Sequence, residues 1–411
     1  MELIIRKRLS RTFIALKYPN YRLWFIGQLV SLVGTWMQAT AQGFLVYQLT
    51  QSPAYLGYVA FANGIPSWLF MLYGGVIADR MSRRTLMIIT QTAMLILAFV
   101  LAALVFTNLI LPWHILVLTF LLGIANAFDA PTRLAFAVDL VDDRADLMNA
   151  IALNATMFNA AAIVGPAVAG LVYAWVGPGW CFTINGVSFI AVIIALSLMK
   201  LAPFVPQKHK DSALVQLKEG VRYVVAHDSI RMIISIVAVI SMTAMGMISL
   251  LPAWAVSILG GDARTNGLLY SARGTGAVLG ALMIAALGRY GHKGKIWSIG
   301  SIVIPISLFT FALVHWLPLS LLALFVLGWS FVLTMNMSNA LVQSLVKDDL
   351  RGRVMGIYTL SFFGLAPIGS LLVGVIAERF NEPVAVMLSA CALMVLALFV
   401  WFFRPELRRL Q

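Results

Sequence analysis

The chain has 411 residues, of which 61% are hydrophobic and only 11% are charged. A soluble domain carries roughly 25% charged residues, so the composition excludes a water-soluble protein. The net charge of +13 would fit a nucleic-acid partner, but the placement of the cations, described below, excludes that interpretation. The two cysteines, Cys181 and Cys391, both fall in apolar runs, where they form neither a disulfide framework nor a metal-ligand pattern.

Apolar runs of about 20 residues recur along the chain, and each is long enough to cross ~30 Å of hydrocarbon. Turn and charge clusters separate twelve of them. The predicted spans are 23–48, 54–78, 85–107, 112–130, 147–175, 180–200, 231–258, 265–288, 296–314, 317–341, 353–378 and 383–403. We therefore predict an all-α polytopic membrane protein with twelve transmembrane helices.

The basic residues predict which ends of the spans lie inside. With the N-terminus inside, nearly all of the 29 lysines and arginines fall in inner segments. Only Arg264 and Arg379 face outward, and Arg273 lies within a span. This bias follows the positive-inside rule, and an odd number of spans would scatter it. We predict that both termini are cytoplasmic, and we expect no nucleic-acid partner.

The longest polar stretch follows the sixth span. It predicts an N-terminal six-helix bundle at 1–200, a cytoplasmic linker at 201–230 and a C-terminal six-helix bundle at 231–411. Within the linker, LVQLKEGVRYVVAH has helical apolar spacing, which indicates a helix along the inner membrane surface. A plain solvated linker is the alternative.

The two halves share short sequence echoes. FLLG at 120–123 matches FVLG at 325–328, and IVGPAVAG at 163–170 resembles LAPIGSLLVG at 365–374. Together with the six-plus-six arrangement, these echoes indicate two pseudo-symmetric six-helix halves.

The first span carries a polar stripe in the segment GQLVSLVGTWMQATAQ. At ~100° per residue, its polar side chains share an arc of ~80°, and they are Gln28, Ser31, Thr35, Gln38 and Gln42. Lipid exposure is unfavourable because an unpaired buried polar group costs roughly 1–3 kcal/mol. The stripe either bonds neighbouring helices or lines a central aqueous cavity, and its length favours the cavity.

Two charged residues are further site candidates. Arg273 lies ~13 Å into the eighth span, where a buried charge is a functional candidate by default. It would meet an anionic or catechol-like substrate, or bond backbone carbonyls between helices. Asp129 ends the fourth span near Arg133. It is the candidate proton site, with a helix-end ion pair as the alternative.

The loop GGVIADRMSRR at 74–84 joins the second and third spans. Glycine permits close helix approach, and a carboxylate at a helix end can accept from arginine or lie at the N-terminus of a facing helix. We interpret the loop as a conformational gate, with a short charged turn as the alternative. Its predicted gate residues are Gly75, Asp79, Arg80, Arg83 and Arg84.

This loop resembles the signature of the major facilitator superfamily, with Ser82 in place of its second glycine. The segments WMQATAQGFLVYQLTQSP, FDAPTRLAFAVDLV and LRGRVMGIYTLSFFGLAPIG are similar to the exporter branch that contains the enterobactin exporter and macrolide efflux proteins. The resemblance covers essentially the whole chain. It implies the major facilitator fold and a cavity lined by spans one, four, seven and ten. Gln38, Asn126 and Asn336 are cavity residues on that basis.

The segment IVGPAVAG also resembles the fifth-span signature of exporters in this superfamily. Pro166 removes one helix hydrogen bond, and Gly165 and Gly170 permit bending and close packing. We predict helix-bend roles for these three residues and for Pro367 in the eleventh span. The resemblance assigns the fifth helix to conformational rocking. Ala162 stands where related exporters often carry arginine.

These features predict a secondary active transporter of the bacterial cytoplasmic (inner) membrane. It would export a small amphipathic molecule, a siderophore or a drug, by alternating access with proton antiport. An importer or facilitator with the same fold is the alternative. We expect a monomer in the lipid bilayer, with protons as coupling ion and neither cofactor nor metal. An enzyme is disfavoured because the five histidines lie in loops or at span ends.

Overall fold

The structure is a computed structural model. It describes residues 13–199, 201, 213–287, 292–348 and 350–410, and for 71–80, 213–217 and 287 it describes the backbone alone. Throughout these ranges the regular structure is helical, without strands. The predicted all-α class is therefore confirmed.

Twelve long helices in the described ranges carry the twelve predicted spans, and they are named α1 to α12 in chain order. The first six are α1 (Pro19–Thr50), α2 (Pro53–Arg80), α3 (Arg83–Phe106), α4 (Pro112–Asp139), α5 (Arg144–Val176) and α6 (Pro178–Leu198). The second six are α7 (Asp228–Ile258), α8 (Ala263–Leu287), α9 (Lys293–Leu313), α10 (Leu317–Leu345), α11 (Arg351–Arg379) and α12 (Glu382–Phe403). By length and composition, ten of these helices, α3 to α12, can each cross a membrane.

Local sequence sets the helix ends. Ser82 caps α3 by accepting from the Thr85 amide over 3.1 Å, and Asn381 caps α12 by accepting from the Val384 amide over 2.8 Å. Helices α1, α2, α4 and α6 each begin with proline, whose missing N–H costs nothing in the first turn.

Helices α7 and α11 contain turns that are wider than α-helical turns. π-Helical segments lie at Ser241–Met245 and Trp254–Ile258 in α7 and at Leu360–Gly364 in α11. The Ser241 hydroxyl donates to the Phe362 carbonyl, so one widened turn bonds another. A π turn leaves backbone groups outside the regular ladder, and inside a membrane these groups need a partner.

One compact unit comprises Met1–Ala41 and Pro66–Lys208. Within it, α3 packs against both α4 and α6. The segment before α1 is fastened to the start of α5, where Lys17 Nζ lies 2.6 Å from the Asp146 carboxylate and the Tyr18 hydroxyl donates to it over 2.9 Å. The hydrogen bond to Asp146 raises the pKa of Lys17 above its ordinary value.

A second compact unit comprises Gln42–Ile65 and His209–Gln411. Its core is built around α10, which packs against α8 and α9, and α9 also packs against α12. The Trp297 indole is fully buried and donates to the Ser338 hydroxyl over 2.7 Å. This bond joins α9 to α10 inside an otherwise apolar core.

A shorter helix at Ala213–Ala226 lies where the linker sequence has helical spacing. Residues 202–212 of the predicted linker lie outside the described residues. Arg353 Nη1 is 2.5 Å from the Glu219 carboxylate, so this helix is docked on the first turn of α11. The predicted limits of the two bundles and their linker stay predictions.

Candidate functional site

The predicted polar stripe of α1 is largely buried. Gln28, Ser31, Gln38 and Gln42 are at most 7% exposed, and Thr35 is partly exposed. The polar face of α1 therefore turns toward protein rather than toward the lipid-facing surface.

The stripe residues differ in their partners. The Asn185 amide of α6 donates to Gln38 Oε1 over 2.7 Å. For Gln38, this is the bond to a neighbouring helix that the alternative to a cavity role predicts. Thr35 instead donates to the Ser31 carbonyl of its own helix over 2.9 Å. Gln28 Oε1 is buried without a hydrogen-bond partner among the described residues. A cavity role for the stripe stays a prediction, and Gln28 is the member with an unmet acceptor.

Two asparagines on other helices were predicted to line the same cavity as the stripe. Asn126 is partly exposed on α4. Asn336 is exposed on α10, and its amide donates to the Val332 carbonyl of the same helix over 2.9 Å. The bond to Val332 occupies only one donor of Asn336 and leaves its oxygen available to a ligand.

Arg273 lies on α8 with its Nε buried and without a hydrogen-bond partner among the described residues. Its position is fixed by α10, because the Gly328 backbone lies directly against the Arg273 carbonyl. Within the described part of the chain no carboxylate forms an ion pair with the guanidinium. A cation held this way at membrane depth is costly unless an anion visits it.

Asp129 has a dense set of donors around it. The carboxylate is 4% exposed and accepts from Thr90 Oγ1 over 2.9 Å and from Gln91 Nε2 over 3.0 Å, both from α3. Arg133 Nε is 3.6 Å away, which makes an ion pair but is too long for a hydrogen bond. Asp129, the predicted proton site, and Arg133, its partner in the alternative ion-pair interpretation, therefore lie in one cluster.

That cluster contains two polar atoms with unused capacity. Gln91 Oε1 and Arg133 Nε are buried and lack hydrogen-bond partners among the described residues. One is an acceptor and the other a donor, and both lie beside the Asp129 carboxylate. Thr90 and Gln91 were not anticipated, because a sequence does not indicate which polar residues of a neighbouring helix meet a carboxylate.

The predicted gate loop is described in part. For Gly75, Asp79 and Arg80 the structure describes the backbone alone, so the predicted side-chain contacts of these residues lie outside the described part. Arg83 Nη1 lies 2.5 Å from the Asp139 carboxylate at the end of α4. This contact links the start of α3 to the end of α4.

The second arginine of the loop contacts a different helix. Arg84 donates to the Ser197 carbonyl over 2.8 Å and to the Met199 carbonyl over 3.2 Å, both at the end of α6. These carbonyls have no intrahelical partner, so the arginine caps α6. A gating role for the loop stays a prediction.

The predicted helix-bend residues lie at close helix contacts. A side-chain carbon added at Gly165 would be 2.5 Å from Trp36 Cβ and 2.9 Å from the Val33 carbonyl of α1. Pro166 and Gly170 are buried on α5. Pro367 of α11 is also buried and lies against the Gly64 backbone of α2. The predicted bending stays untested, but the close packing that glycine permits is present at Gly165.

The N-terminus of α2 is capped by a side chain of another helix, α11, which the sequence did not predict. Glu378 Oε2 of α11 accepts from the Ser52 hydroxyl over 2.8 Å and from the Ala54 amide over 3.3 Å. A carboxylate at this position satisfies unpaired N–H groups and the positive end of the helix dipole. The cap fixes the start of α2 on α11.

Below this cap, α2 and α11 meet backbone to backbone. A carbon added at Gly374 would lie 2.8 Å from the Pro53 carbonyl and 3.1 Å from Gly57 Cα. We expect Gly374→Val to force the helices apart and to lower the thermal unfolding midpoint of the purified protein by several degrees, because overpacking costs roughly 1–3 kcal/mol.

Gly356 of α11 provides the matched control, since an added carbon there meets nothing within 4 Å. Gly356→Val should leave the midpoint unchanged or slightly raised. Equal midpoints for the two valine variants would mean that α2 and α11 do not make this contact in the purified protein.

In the described part of the chain, no group of three or more His, Cys, Asp or Glu side chains is placed to hold a metal ion. Cys181 is buried and Cys391 exposed, and neither forms a disulfide.

A family model described as "Transmembrane secretion effector" matches residues 10–410. The chain belongs to this family. Its twelve-helix architecture is that of the major facilitator superfamily, as the loop signature predicted. The protein is therefore a multi-pass membrane transporter of small molecules and not an enzyme.

Two curated relatives align over most of this chain. The enterobactin exporter EntS of Salmonella choleraesuis (strain SC-B67) is 24% identical over 398 residues, which cover 96% of this chain and 94% of the exporter. The staphyloferrin A transporter of Staphylococcus aureus (strain NCTC 8325 / PS 47) is 24% identical over 362 residues, which cover 88% of this chain and 90% of the transporter.

Solved transporters share the fold of this protein. The nucleoside transporter NupG superimposes with a TM-score of 0.73 at 18% identity and covers 94% of this chain and 99% of its own. A POT family transporter in complex with 5-aminolevulinic acid gives a TM-score of 0.73 at 11% identity, covering 94% of this chain and 96% of its own. At these identities the likeness concerns the fold alone.

Proposed function

We propose that this protein exports an anionic siderophore across the bacterial cytoplasmic membrane by alternating access. In this proposal, the proton gradient drives export through proton antiport. The observation that carries the proposal is that relatives named for enterobactin and for staphyloferrin A align along nearly the whole chain. Siderophores bind iron through catecholate or carboxylate oxygens, so a transporter for them needs a cationic contact in a membrane site.

Arg273 supplies such a contact. Its Nε is buried and unbonded among the described residues, so a ligand oxygen would gain a charge-assisted hydrogen bond without breaking an existing one. Within the same compact unit, the exposed amide of Asn336 offers an uncharged polar contact of the kind that hydroxyl-rich ligands use.

Asp129 is the carboxylate that we assign to proton coupling. It is buried in α4, and the unused Gln91 Oε1 and Arg133 Nε beside it offer hydrogen bonds to an incoming water. Exchange of a proton at Asp129 would alter its bonds to Thr90 and Gln91, and hence the contact of α3 with α4.

Transport into inverted membrane vesicles tests the proposal. The vesicle lumen then corresponds to the cell exterior, so an acidic lumen should drive accumulation of a catecholate or carboxylate siderophore. A protonophore should abolish the accumulation, and vesicles without the protein give the background. No gradient-dependent movement of any siderophore would contradict proton-driven export, and accumulation driven by an alkaline lumen would indicate import.

We further propose that the protein works as a monomer with both termini in the cytoplasm. The orientation is supported by the distribution of lysine and arginine over the alternating segments. Labelling of single cysteines in the exposed Asp142–Asp143 loop and at exposed Arg264, from each side of sealed vesicles, checks it.

A further inference from the structure

A cavity lies at the C-terminal end of the second unit, where α9 begins and α12 ends. Its volume is about 550 Å³. It is bounded by the first turns of α9, by Trp401 near the end of α12, and by the short terminal helix Pro405–Arg408 with the residues that follow it. Nothing in the transport mechanism proposed above uses this cavity.

The cavity is strongly basic. Lys295, Arg408 and Arg409 line it, together with His292, and none of its lining residues is acidic. Within the described part of the chain, no ion pair is formed by Lys295, Arg408 or Arg409. The one carboxylate of the terminal helix, Glu406, does not contribute to the lining.

That carboxylate is engaged elsewhere. Arg404 lies 3.4 Å from Glu406 and 4.0 Å from Asp228 at the start of α7. Among the described residues, these two acidic groups thus pair with Arg404, and neither of them pairs with a cation of the cavity. Like charges collected in this way repel one another unless an anion joins them.

The walls of the cavity are held in place. The Gly294 amide donates to the Leu410 carbonyl over 3.1 Å, and Leu407 is buried at 1% exposure, so the terminal segment is docked on the start of α9. The Arg408 guanidinium lies 4.5 Å from the Trp401 ring centroid, which orients its donors. The basic surface is therefore preformed.

The surroundings of the cavity indicate where its anion comes from. Ile299, which lines the cavity, is 52% exposed, and Phe402 and Phe403 at the end of α12 are each 70% exposed. Apolar side chains exposed at the end of a membrane span face acyl chains. An anion with a hydrocarbon tail can therefore place its charge in the cavity and its tail along Ile299.

We propose that this cavity binds the phosphate group of an anionic phospholipid, with the guanidinium groups of Arg408 and Arg409 and the ammonium group of Lys295 as its ligands. Arginine presents paired donors that match phosphate oxygens, and basic pockets at the cytoplasmic ends of membrane helices suit acidic headgroups. The site would anchor the terminal helix to the membrane surface. A free phosphate shares this chemistry but gains nothing from the apolar wall.

Native mass spectrometry of the purified full-length protein tests the site. Delipidated protein is titrated with phosphatidylglycerol and, separately, with phosphatidylcholine. We expect one phosphatidylglycerol to bind in preference to phosphatidylcholine, and the variant Lys295→Gln/Arg408→Gln/Arg409→Gln to lose at least about tenfold in affinity for it. The variant Trp401→Leu keeps all three charges and should lose less.

A charge-matched control separates this site from general attraction. The variant Arg144→Gln/Lys218→Gln/Arg222→Gln neutralises three exposed cations of the predicted inner face. It should change the affinity less than about twofold if the cavity is specific. Equal losses in the two triple variants would overturn the proposal.

Competition with inorganic phosphate distinguishes the two sources of the anion. Millimolar inorganic phosphate should not displace the bound phosphatidylglycerol. If it does displace the lipid, and does so only when the three cations are present, the site serves free phosphate and the lipid assignment is wrong. Because lipid binding alone is measured, a failure here would leave the transport proposal unaffected.

Discussion

Replacing Arg273 with glutamine is expected to reduce siderophore transport at least about tenfold, because a charge-assisted hydrogen bond to a ligand contributes ~1.5–3 kcal/mol. The same change should leave the unfolding midpoint equal to or above that of the wild type. A cation whose Nε is buried and unbonded, and which pairs with no described carboxylate, costs free energy in the empty protein. Vesicle transport and thermal unfolding measure the two effects separately.

The alternative role for Arg273 predicts the opposite pair of results. If the guanidinium instead holds helices together through backbone carbonyls, Arg273→Gln should lower the unfolding midpoint and the yield of folded protein. Arg273→Lys keeps the charge but not the paired donors, so a ligand role predicts that transport is only partly restored. Arg264→Gln, at an exposed position on the first turn of the same helix, is the control and should match the wild type in both measurements.

Replacing Asp129 with asparagine should abolish the response of transport to a pH gradient while substrate exchange without a gradient continues. Asparagine retains an oxygen that accepts from Thr90 or Gln91, so the contact between α3 and α4 persists. It cannot take up and release a proton, so coupling is lost. Gradient-driven accumulation and counterflow in the same proteoliposomes measure the two activities.

Charge balance around Asp129 must be controlled. Asp129→Asn leaves Arg133 largely buried without its counter-charge, which is itself destabilising. The double variant Asp129→Asn/Arg133→Gln removes that cost and should again exchange substrate without coupling. Asp142→Asn, an exposed carboxylate beyond the end of α4, should behave as the wild type. Normal gradient-driven transport by Asp129→Asn would assign the coupling proton to another group.

The fold was predictable because the requirements of membrane insertion can be read directly along the amino-acid sequence. Each apolar run must be long enough to cross the bilayer, and the cations must alternate between its sides. Each of the twelve predicted spans coincides with a helix in the described ranges. Most predicted ends differ by a few residues, since polar first turns such as that of α5 extend a helix beyond its apolar part. The fourth span is the exception, because α4 continues to Asp139 rather than ending at 130, and Asp129 therefore lies within the helix and not at its end.

The candidate sites were less predictable, because side-chain partners depend on how helices are rotated against one another. The sequence placed Gln38 on a polar stripe but did not indicate Asn185 as its partner. It indicated Asp129 but not Thr90, and it missed the contact of Ser52 with Glu378 altogether. Each of these pairs joins different helices.

The bonded π turns of α7 and α11 carry an implication for sequence change in this protein. The Ser241 hydroxyl donates to the Phe362 carbonyl within the widened turn of α11. Deleting one residue to restore regular α-helical geometry in either helix would break this hydrogen bond. The polar atom of the other helix would then lie in an apolar environment without a partner. The two irregularities should accordingly be inherited as a pair: a relative that loses the hydroxyl at position 241 is expected to have straightened the turn around position 362 as well.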